Sequence, residues 1–271
     1  MISAALDRNG DTLLDEAPGA LFPWWSFTKP VIAALVLRKA EPDGIDLDAA
    51  LPGAAYSLRQ LLQHRSGLRD YGPLPAYKTA VAARQNPWPA ADLLAAVRAE
   101  GPAFAPGAGW LYSNAGYLLL RQWLEQQHGA PLKDIMQREI LAPLGLTARL
   151  AETAEDFEGM HWDAEGYHPG WVYHGCLLGT ALDAARLLHA LLHGSLLSDG
   201  ARAAMAERPG LGPHRLWLGP DERRSSRCWH RAGPHRLRAV QRQPRGAFPG
   251  PARAGHRCQL LRRRGRGAGR A

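Results

Sequence analysis

Residues 23–39 read Pro-Trp-Trp-Ser-Phe-Thr-Lys-Pro-Val-Ile-Ala-Ala-Leu-Val-Leu-Arg-Lys, and this stretch decides the fold. From Val31 onward it is apolar on nearly every side, which predicts a helix buried in the core. Pro30 has no N–H to donate to the carbonyl of Ser26, so Ser26 must lie at the start of that helix or on a kink. Ser26 and Lys29 are three residues apart and therefore face the same side of the helix.

A serine hydroxyl becomes a useful nucleophile only when a base removes its proton, and a neutral amine can be that base. A Ser-x-x-Lys pair on a buried helix fits this chemistry, because a buried lysine without a partner is costly. The alternative is a helix start with a solvated lysine. A second candidate is Tyr112-Ser113-Asn114, for which the alternative is a turn whose asparagine caps the following helix.

Local signals predict the elements around these two motifs. Residues 2–6 and 12–14 form a hairpin, since Asn9-Gly10 between them supplies the positive φ angles of a tight turn. Cap residues and periodicity predict helices that begin at the Ser57–Gln60 capping box, span 89–99, follow Asn114 to about His128, and span 133–141. A last helix is capped at Thr180, runs through His193 and is stopped by Gly194.

Composition excludes several classes of protein. The 271 residues are 46% hydrophobic and 21% charged, as in soluble globular proteins. The longest apolar run, residues 31–37, is too short to cross a bilayer. No secretory signal opens the chain, which favours the cytoplasm. The three cysteines are widely spaced, which argues against a disulfide scaffold or a zinc cluster.

The net charge of +8 is unevenly distributed. Residues 1–220 contain 18 basic and 23 acidic residues, whereas residues 221–271 contain 15 arginines and two acids. We expect a domain over 1–218, incomplete at its C-terminal end, and an Arg/Gly/Pro-rich segment over 219–271 without strand or helix periodicity. That segment is either a disordered basic tail or a stretch read out of frame. Arginines in residues 262–270 could contact phosphates, but aromatic side chains for base stacking are missing there, so nucleic acid is not the expected partner.

Residues 104–117 read Phe-Ala-Pro-Gly-Ala-Gly-Trp-Leu-Tyr-Ser-Asn-Ala-Gly-Tyr and resemble the second motif region of class C β-lactamase and D,D-peptidase-like serine hydrolases. Residues 61–68, Leu-Leu-Gln-His-Arg-Ser-Gly-Leu, resemble the Leu-Leu-x-His-x-Ser-Gly-Leu segment of that family. Residues 140–146 and 179–186 match further segments in the right order. The resemblance implies an α/β fold of the β-lactamase and penicillin-binding-protein type, with an antiparallel sheet flanked by helices plus a helical lobe.

The resemblance also implies roles for individual residues. Ser26 would be the acylated nucleophile, Lys29 and Tyr112 would share the proton transfers, and Asn114 would hydrogen-bond the lysine and the substrate amide. The backbone N–H of Ser26 would form half of an oxyanion hole. A neutral Lys29 at pH 7 requires its pKa to fall by about 3 units from 10.4, through burial or a nearby positive charge.

The implied reaction is acyl transfer to water from a small-molecule ester, amide, β-lactam or D-amino-acid peptide, with no metal, organic cofactor or membrane partner. Trp25 and His64 are candidates for the substrate pocket, although the Trp24-Trp25 pair could equally be core. The third family motif, Lys-Thr-Gly or His-x-Gly, has its nearest match at His230, with different spacing. A catalytically inactive or truncated relative that binds acyl compounds is therefore the alternative.

Two further observations are weaker. His161, Asp163, His168 and His174 could be described as a metal cluster, but nothing in their spacing fixes them to one face, and a polar loop is the simpler interpretation. Cys176 has no cationic neighbour in the sequence and is predicted to be a core residue.

Overall fold

The buried helix predicted after Ser26 is α1 (Thr28–Ala40), and it passes through the middle of the larger of two cores. Ten of its 13 residues are buried, Lys29 among them. The structure is a computed structural model, and it describes residues 2–161, 164, 166–207 and 237–241. Within this part of the chain, no helix has the length and apolar composition that crossing a bilayer requires.

The chain begins with strands and continues mainly as helices. The strands are β1 (Ile2–Leu6), β2 (Thr12–Asp15), β3 (Phe22–Pro23), β4 (Arg149–Leu150), β5 (Leu177–Gly179) and β6 (Leu237–Gln241). The helices that follow α1 are α2 (Leu58–Leu62), α3 (Pro75–Ala82), α4 (Ala90–Ala99), α5 (Asn114–His128), α6 (Leu132–Met136), α7 (Ala181–Leu192) and α8 (Asp199–Ala206). Short 3-10 turns lie at Trp25–Phe27, Ala154–Phe157 and Pro169–Trp171, and a π-helical turn at Gln137–Leu141 extends α6.

The described strands form two small antiparallel sheets. One has the order β2-β1-β6, and α7 packs against it. The other has the order β3-β5-β4 and lies next to the start of α1. Thr28 joins this sheet to the helix, because its buried Oγ1 accepts the N–H of Leu177 at 2.9 Å. Antiparallel sheets with helices packed on them confirm the predicted α/β class.

A second core, rich in aromatic side chains, lies on the other side of the site and forms the helical lobe. Trp171 is at its centre, with Tyr77 and Trp88 in edge contact at 5.3 and 5.5 Å between ring centroids. Its indole N–H donates to the carbonyl of Gln85, which satisfies the polar atom of a nearly fully buried ring. Residues next to the Ser26 and Asn114 motifs belong to both cores: Phe27 and Tyr117 to the larger one, and Trp25 and Ala115 to the aromatic one.

The local predictions are largely confirmed. The hairpin forms, and Ser57 and Gln60 make the reciprocal capping-box bonds at the start of α2. Gly129 ends α5 in a left-handed conformation, with φ of 60°. The residue that caps α5 is Ser113, whose hydroxyl accepts the N–H of Gly116, so the proposal that Asn114 is the cap is wrong.

The sequence did not predict α3, α8 or the two-residue strands, since such short segments carry little periodic signal. It also predicted no strand after residue 218, yet β6 pairs with β1 along its whole length. Backbone ladders require no side-chain pattern, which explains why this strand was missed. His230, and the segment 219–271 apart from β6, lie outside the described residues.

Gly67 lies where the loop after α2 meets the loop after α4. It has φ of 78°, and its carbonyl accepts the N–H of Ala103 at 2.9 Å. A Cβ at this position would overlap the carbonyl oxygen of Phe104. Glycine is therefore required both for the backbone conformation and for the close approach of the second loop.

We expect Gly67→Ala to destabilise the protein more than Gly101→Ala. Gly101 has a similar φ of 67° but no atom within 4 Å of the position of a Cβ. Its substitution should cost about 1–2 kcal/mol of unfolding free energy through backbone strain alone. Gly67→Ala should lose a further 1–3 kcal/mol, roughly the cost of overpacking, in urea denaturation monitored by circular dichroism. Equal losses for the two variants would contradict the proposed contact with Phe104.

Candidate active site

Ser26 is presented by a strained turn at the edge of the larger core. It lies in the 3-10 turn Trp25–Phe27 that leads directly into α1, as Pro30 requires. Trp25 has φ of 45°, an uncommon conformation for a bulky residue. The turn is held by bonds from Phe27 N to Trp24 O at 2.8 Å and from Trp24 N to Leu177 O at 2.7 Å. Such strain is frequent where a protein fixes a functional side chain.

Lys29 lies one helical turn beyond Ser26 and points back at it. Its side chain is buried, and the residue is 3% exposed. Nζ is 3.2 Å from Ser26 Oγ, 2.7 Å from Asn114 Oδ1 and 3.0 Å from His174 Nε2. An ammonium group has three N–H donors, so each donor has one partner in this arrangement.

Tyr112 approaches Ser26 from the second loop. Its hydroxyl oxygen is 2.5 Å from Ser26 Oγ, and Lys29 Nζ is 4.9 Å from the centroid of its ring. Backbone bonds from Gly107 N to Arg65 O and from Leu111 N to His64 O attach this loop to the turn after α2. The position of the Tyr112 hydroxyl therefore depends on contacts between two loops distant in sequence.

His64 lies behind Tyr112, not in the wall of a pocket. It is 3% exposed, and its ring contacts those of Tyr112 and Tyr117 at 4.6 and 5.1 Å between centroids. Its Nδ1 accepts the backbone N–H of Ser113 at 3.1 Å. Burial lowers the pKa of His64 to about 3, and the Lys29 charge acts in the same direction, so the imidazole is neutral. Its place in the structure indicates support for Tyr112 instead of substrate contact.

Asn114, at the first turn of α5, is oriented by Asp70. The carboxylate of Asp70 accepts the backbone N–H of Asn114 at 2.9 Å through Oδ1 and its side-chain Nδ2 at 3.1 Å through Oδ2. Because the amide nitrogen donates to the carboxylate, Oδ1 of Asn114 faces Lys29. Oδ1 of Asp70 also accepts the N–H of Tyr71, which fixes the carboxylate itself.

Burial separates the pKa values of the two groups next to Ser26. It lowers the pKa of Lys29 from 10.5 to about 7, against the opposing effect of the Asp70 carboxylate. It raises the pKa of the Tyr112 phenol far above 10, with the hydrogen bond to Ser26 opposing it. At neutral pH the phenol therefore keeps its proton, whereas the amine of Lys29 is available to accept one.

Ser26 Oγ lies within hydrogen-bonding distance of Lys29 and Tyr112, and Lys29 Nζ also reaches Asn114. The structure therefore brings these four predicted site residues together. Of the tryptophan pair, Trp24 is a core residue, 2% exposed and packed on Phe27 and Gly179. Trp25 is half-buried and contacts Phe157 and Tyr167, at the edge of the aromatic core.

Two residues at the site were not assigned to it from the sequence, Asp70 and His174. Asp70 follows the Leu61–Leu68 segment by two residues, but one acid in a polar loop gives no distinctive signal. His174 was grouped with other histidines as a possible metal ligand. Among the described residues, no three or more His, Cys, Asp or Glu side chains are placed to hold a metal ion. Asp163 lies outside the described residues, and Cys176 is a buried free thiol, as predicted.

Comparison with known proteins identifies the family of the chain. Residues 4–252 match the model of the family described as Beta-lactamase. A penicillin-binding protein of Bacillus subtilis is 33% identical over 142 residues, covering 47% of this chain and 30% of that protein. A D-aminopeptidase of Cereibacter sphaeroides is 33% identical over 129 residues, covering 43% of this chain and 24% of that protein. The chain thus spans no more than a third of the length of these two relatives.

Among solved structures, a D-stereospecific amidohydrolase from Streptomyces sp. superposes with a TM-score of 0.68 at 26% identity. The superposition covers 76% of this chain and 72% of that one. It confirms the expected fold, a sheet flanked by helices with an additional helical lobe, for most of the described chain.

We expect Asp70→Asn to destabilise the protein by about 2 kcal/mol, because two amide N–H₂ groups would then face each other in a buried position. Adding Asn114→Asp should restore most of this loss, since residue 70 then donates where it formerly accepted. Urea denaturation at pH 7 measures both effects. Asp92→Asn, at an exposed position on α4, is the matched control and should change stability by less than about 0.5 kcal/mol. If the single and double substitutions are equally destabilising, the proposed orientation of Asn114 is incorrect.

Proposed function

Since the chain belongs to the beta-lactamase family, we propose that it is a serine hydrolase that transfers the acyl group of a small amide or ester to water through a Ser26 acyl-enzyme. One observation carries the proposal. Ser26 Oγ lies within hydrogen-bonding distance of both Lys29 Nζ, at 3.2 Å, and the Tyr112 hydroxyl, at 2.5 Å. A nucleophile placed between an amine with a pKa of about 7 and a neutral phenol has a base and an acid at hand.

In the acylation half, the lone pair of Lys29 takes the proton of Ser26 as Oγ bonds to the substrate carbonyl carbon. The bond to the leaving group breaks, and the Tyr112 hydroxyl gives its proton to the departing nitrogen or oxygen. Lys29 is then an ammonium and Tyr112 a phenolate. The ammonium, above the face of the Tyr112 ring, stabilises that phenolate.

The deacylation half reverses both proton transfers. The Tyr112 phenolate takes a proton from water, whose oxygen attacks the acyl carbon of the ester on Ser26. Lys29 returns its proton to Oγ as the ester bond breaks, so the enzyme regains its starting state. In both halves the backbone N–H of Ser26 donates to the negative oxygen that develops on the carbonyl.

The substrate class is proposed from the relatives. A D-aminopeptidase and a D-stereospecific amidohydrolase are similar to this chain, so we propose amides and short peptides of D-amino acids as substrates. The same acyl-enzyme chemistry can also cleave ester and β-lactam bonds. Rates with these substrates show how broad the activity is, and comparison with D-amino-acid amides shows which substrate is preferred.

Labelling of Ser26 by a fluorophosphonate tests the nucleophile and its base together. The rate constant should rise with pH and level off above a midpoint near 7, because only the neutral amine of Lys29 can accept the Ser26 proton. Below pH 6 it should fall about tenfold per pH unit. Intact-protein mass spectrometry at each pH gives the rate and the number of labels.

Ser26→Ala should abolish the label, whereas Ser198→Ala, at an exposed helix cap, should not affect it. Label that persists in Ser26→Ala would contradict the assignment of the nucleophile. A rate independent of pH between 5 and 9 would contradict the role of Lys29. A folded chain that gives no adduct with the fluorophosphonate or with a penicillin would be the inactive relative.

The substrate proposal is tested with matched D- and L-phenylalanine amides. We expect kcat/KM for the D-amide to exceed that for the L-amide by about 10- to 200-fold, the discrimination that one gained or lost methylene contact in an apolar pocket provides. Ammonia release measures turnover, with Ser26→Ala as the blank and p-nitrophenyl acetate as the ester control. Ester hydrolysis without stereospecific amide hydrolysis would overturn the D-amide preference and leave the serine hydrolase intact.

A further inference from the structure

His174 lies next to Lys29 in the loop between the 3-10 turn Pro169–Trp171 and β5. Its Nε2 is 3.0 Å from Lys29 Nζ, and the residue is 2% exposed. His174 is almost fully shielded from solvent, and its hydrogen-bonding neighbour is the amine of Lys29. Lys29 is therefore the group through which His174 can act on Ser26.

The hydrogen-bond geometry of Lys29 indicates what His174 does. A neutral amine has two N–H donors and one lone pair. If Asn114 Oδ1, at 2.7 Å, and His174 Nε2, at 3.0 Å, accept the two N–H groups, the lone pair is directed at the third neighbour, Ser26 Oγ, at 3.2 Å. We propose that His174 is a positioning residue, a neutral imidazole whose Nε2 accepts one N–H of Lys29 and so aims the lone pair at Ser26.

The opposite tautomer would oppose the reaction. An N–H on Nε2 would donate to the lone pair of Lys29 and compete with Ser26 for it. The hydrogen therefore belongs on Nδ1. Nδ1 is buried and has no hydrogen-bond partner within normal geometry, and the backbone of Trp25 opposes the fall in the pKa of the ring.

The charges around the pair keep His174 neutral. Burial, then the Lys29 charge, holds the pKa of His174 well below its ordinary value, and Arg121 and His64 act in the same direction. The Asp70 carboxylate raises the pKa of Lys29 and so opposes the effect of burial. Burial raises the pKa of Cys176 to about 12 and raises the pKa values of the Tyr112 and Tyr117 phenols well above 10, so all three groups keep their protons. Burial also raises the pKa of the Asp70 carboxyl, against the Asn114 backbone N–H and the Lys29 charge, and it lowers the pKa of Lys29 to about 7.

The inference rests on the proposed function, and its test compares His174→Gln with His174→Phe. Phe places a somewhat larger planar ring there without an acceptor, whereas Gln places an amide oxygen near the position of Nε2. Losing an acceptor destabilises the ammonium more than the amine. The midpoint of fluorophosphonate labelling should therefore fall by about one to two pH units in His174→Phe, and the plateau rate by about tenfold. His174→Gln should keep both close to the wild-type values.

A purely structural histidine would give a different result. His174→Phe would then retain the wild-type midpoint and plateau in a folded protein, as judged by circular dichroism, and this outcome overturns the proposal. Equal loss in both variants overturns it as well, because Gln restores the acceptor.

A second readout needs neither reaction with the fluorophosphonate nor a folded Phe variant. Long-range proton–nitrogen NMR of the ¹⁵N-histidine-labelled full chain reports the tautomer of each ring. We expect His174 as the neutral form with hydrogen on Nδ1 from pH 5.5 to 9, with an Nε2 shift that moves in Lys29→Met. An imidazolium at pH 7, or hydrogen on Nε2, overturns the proposal. Wild-type protein that shows the expected tautomer but no label would contradict the proposed function and leave the contact between His174 and Lys29 established.

Discussion

The whole site depends on burying the amine of Lys29 at the beginning of α1. The side chain is buried, and three acceptors on three separate segments contact the amine: Ser26 on the strained turn, Asn114 at the start of α5 and His174 before β5. Their number matches the donors of an ammonium, so the charged form is tolerated, while burial makes the neutral form accessible at pH 7. One side chain can in this way hold a proton in one half of a reaction cycle and release it in the other.

This arrangement has a cost in stability. The pKa of Lys29 is 10.5 when solvated and about 7 when folded, so between these values the unfolded chain binds more protons than the folded one. Through this group, stability rises with pH from about 7 to 10.5 and is lowest below 7, where folding must bury the ammonium. The apolar residues of α1, which fill the centre of the larger core, supply the free energy that offsets this cost.

A second layer of contacts fixes the residues that touch Ser26. Asp70 sets which atom of Asn114 faces the lysine, and His64 supports the backbone next to Tyr112. Both belong to the segment after α2, and Gly67 in the same segment lets the loop before Tyr112 approach closely. A displacement of about 1 Å in such groups reduces reaction rates strongly. The backbone hydrogen bonds between the loop after α2 and the loop before Tyr112 hold these groups in place.

The sequence by itself determined the local features: the buried helix after Ser26, the hairpin, the capping box of α2, and the Ser-x-x-Lys and Tyr-x-Asn pairs. Each depends on residues a few positions apart, within reach of periodicity and cap chemistry. Only the tertiary structure decided which isolated polar residues join the site. Asp70 and His174 contact Asn114 and Lys29 across 44 and 145 positions of chain, a separation at which no local rule operates. The same holds for the pKa of Lys29, because desolvation depends on everything packed around the amine, whereas sequence states only that an amine is there.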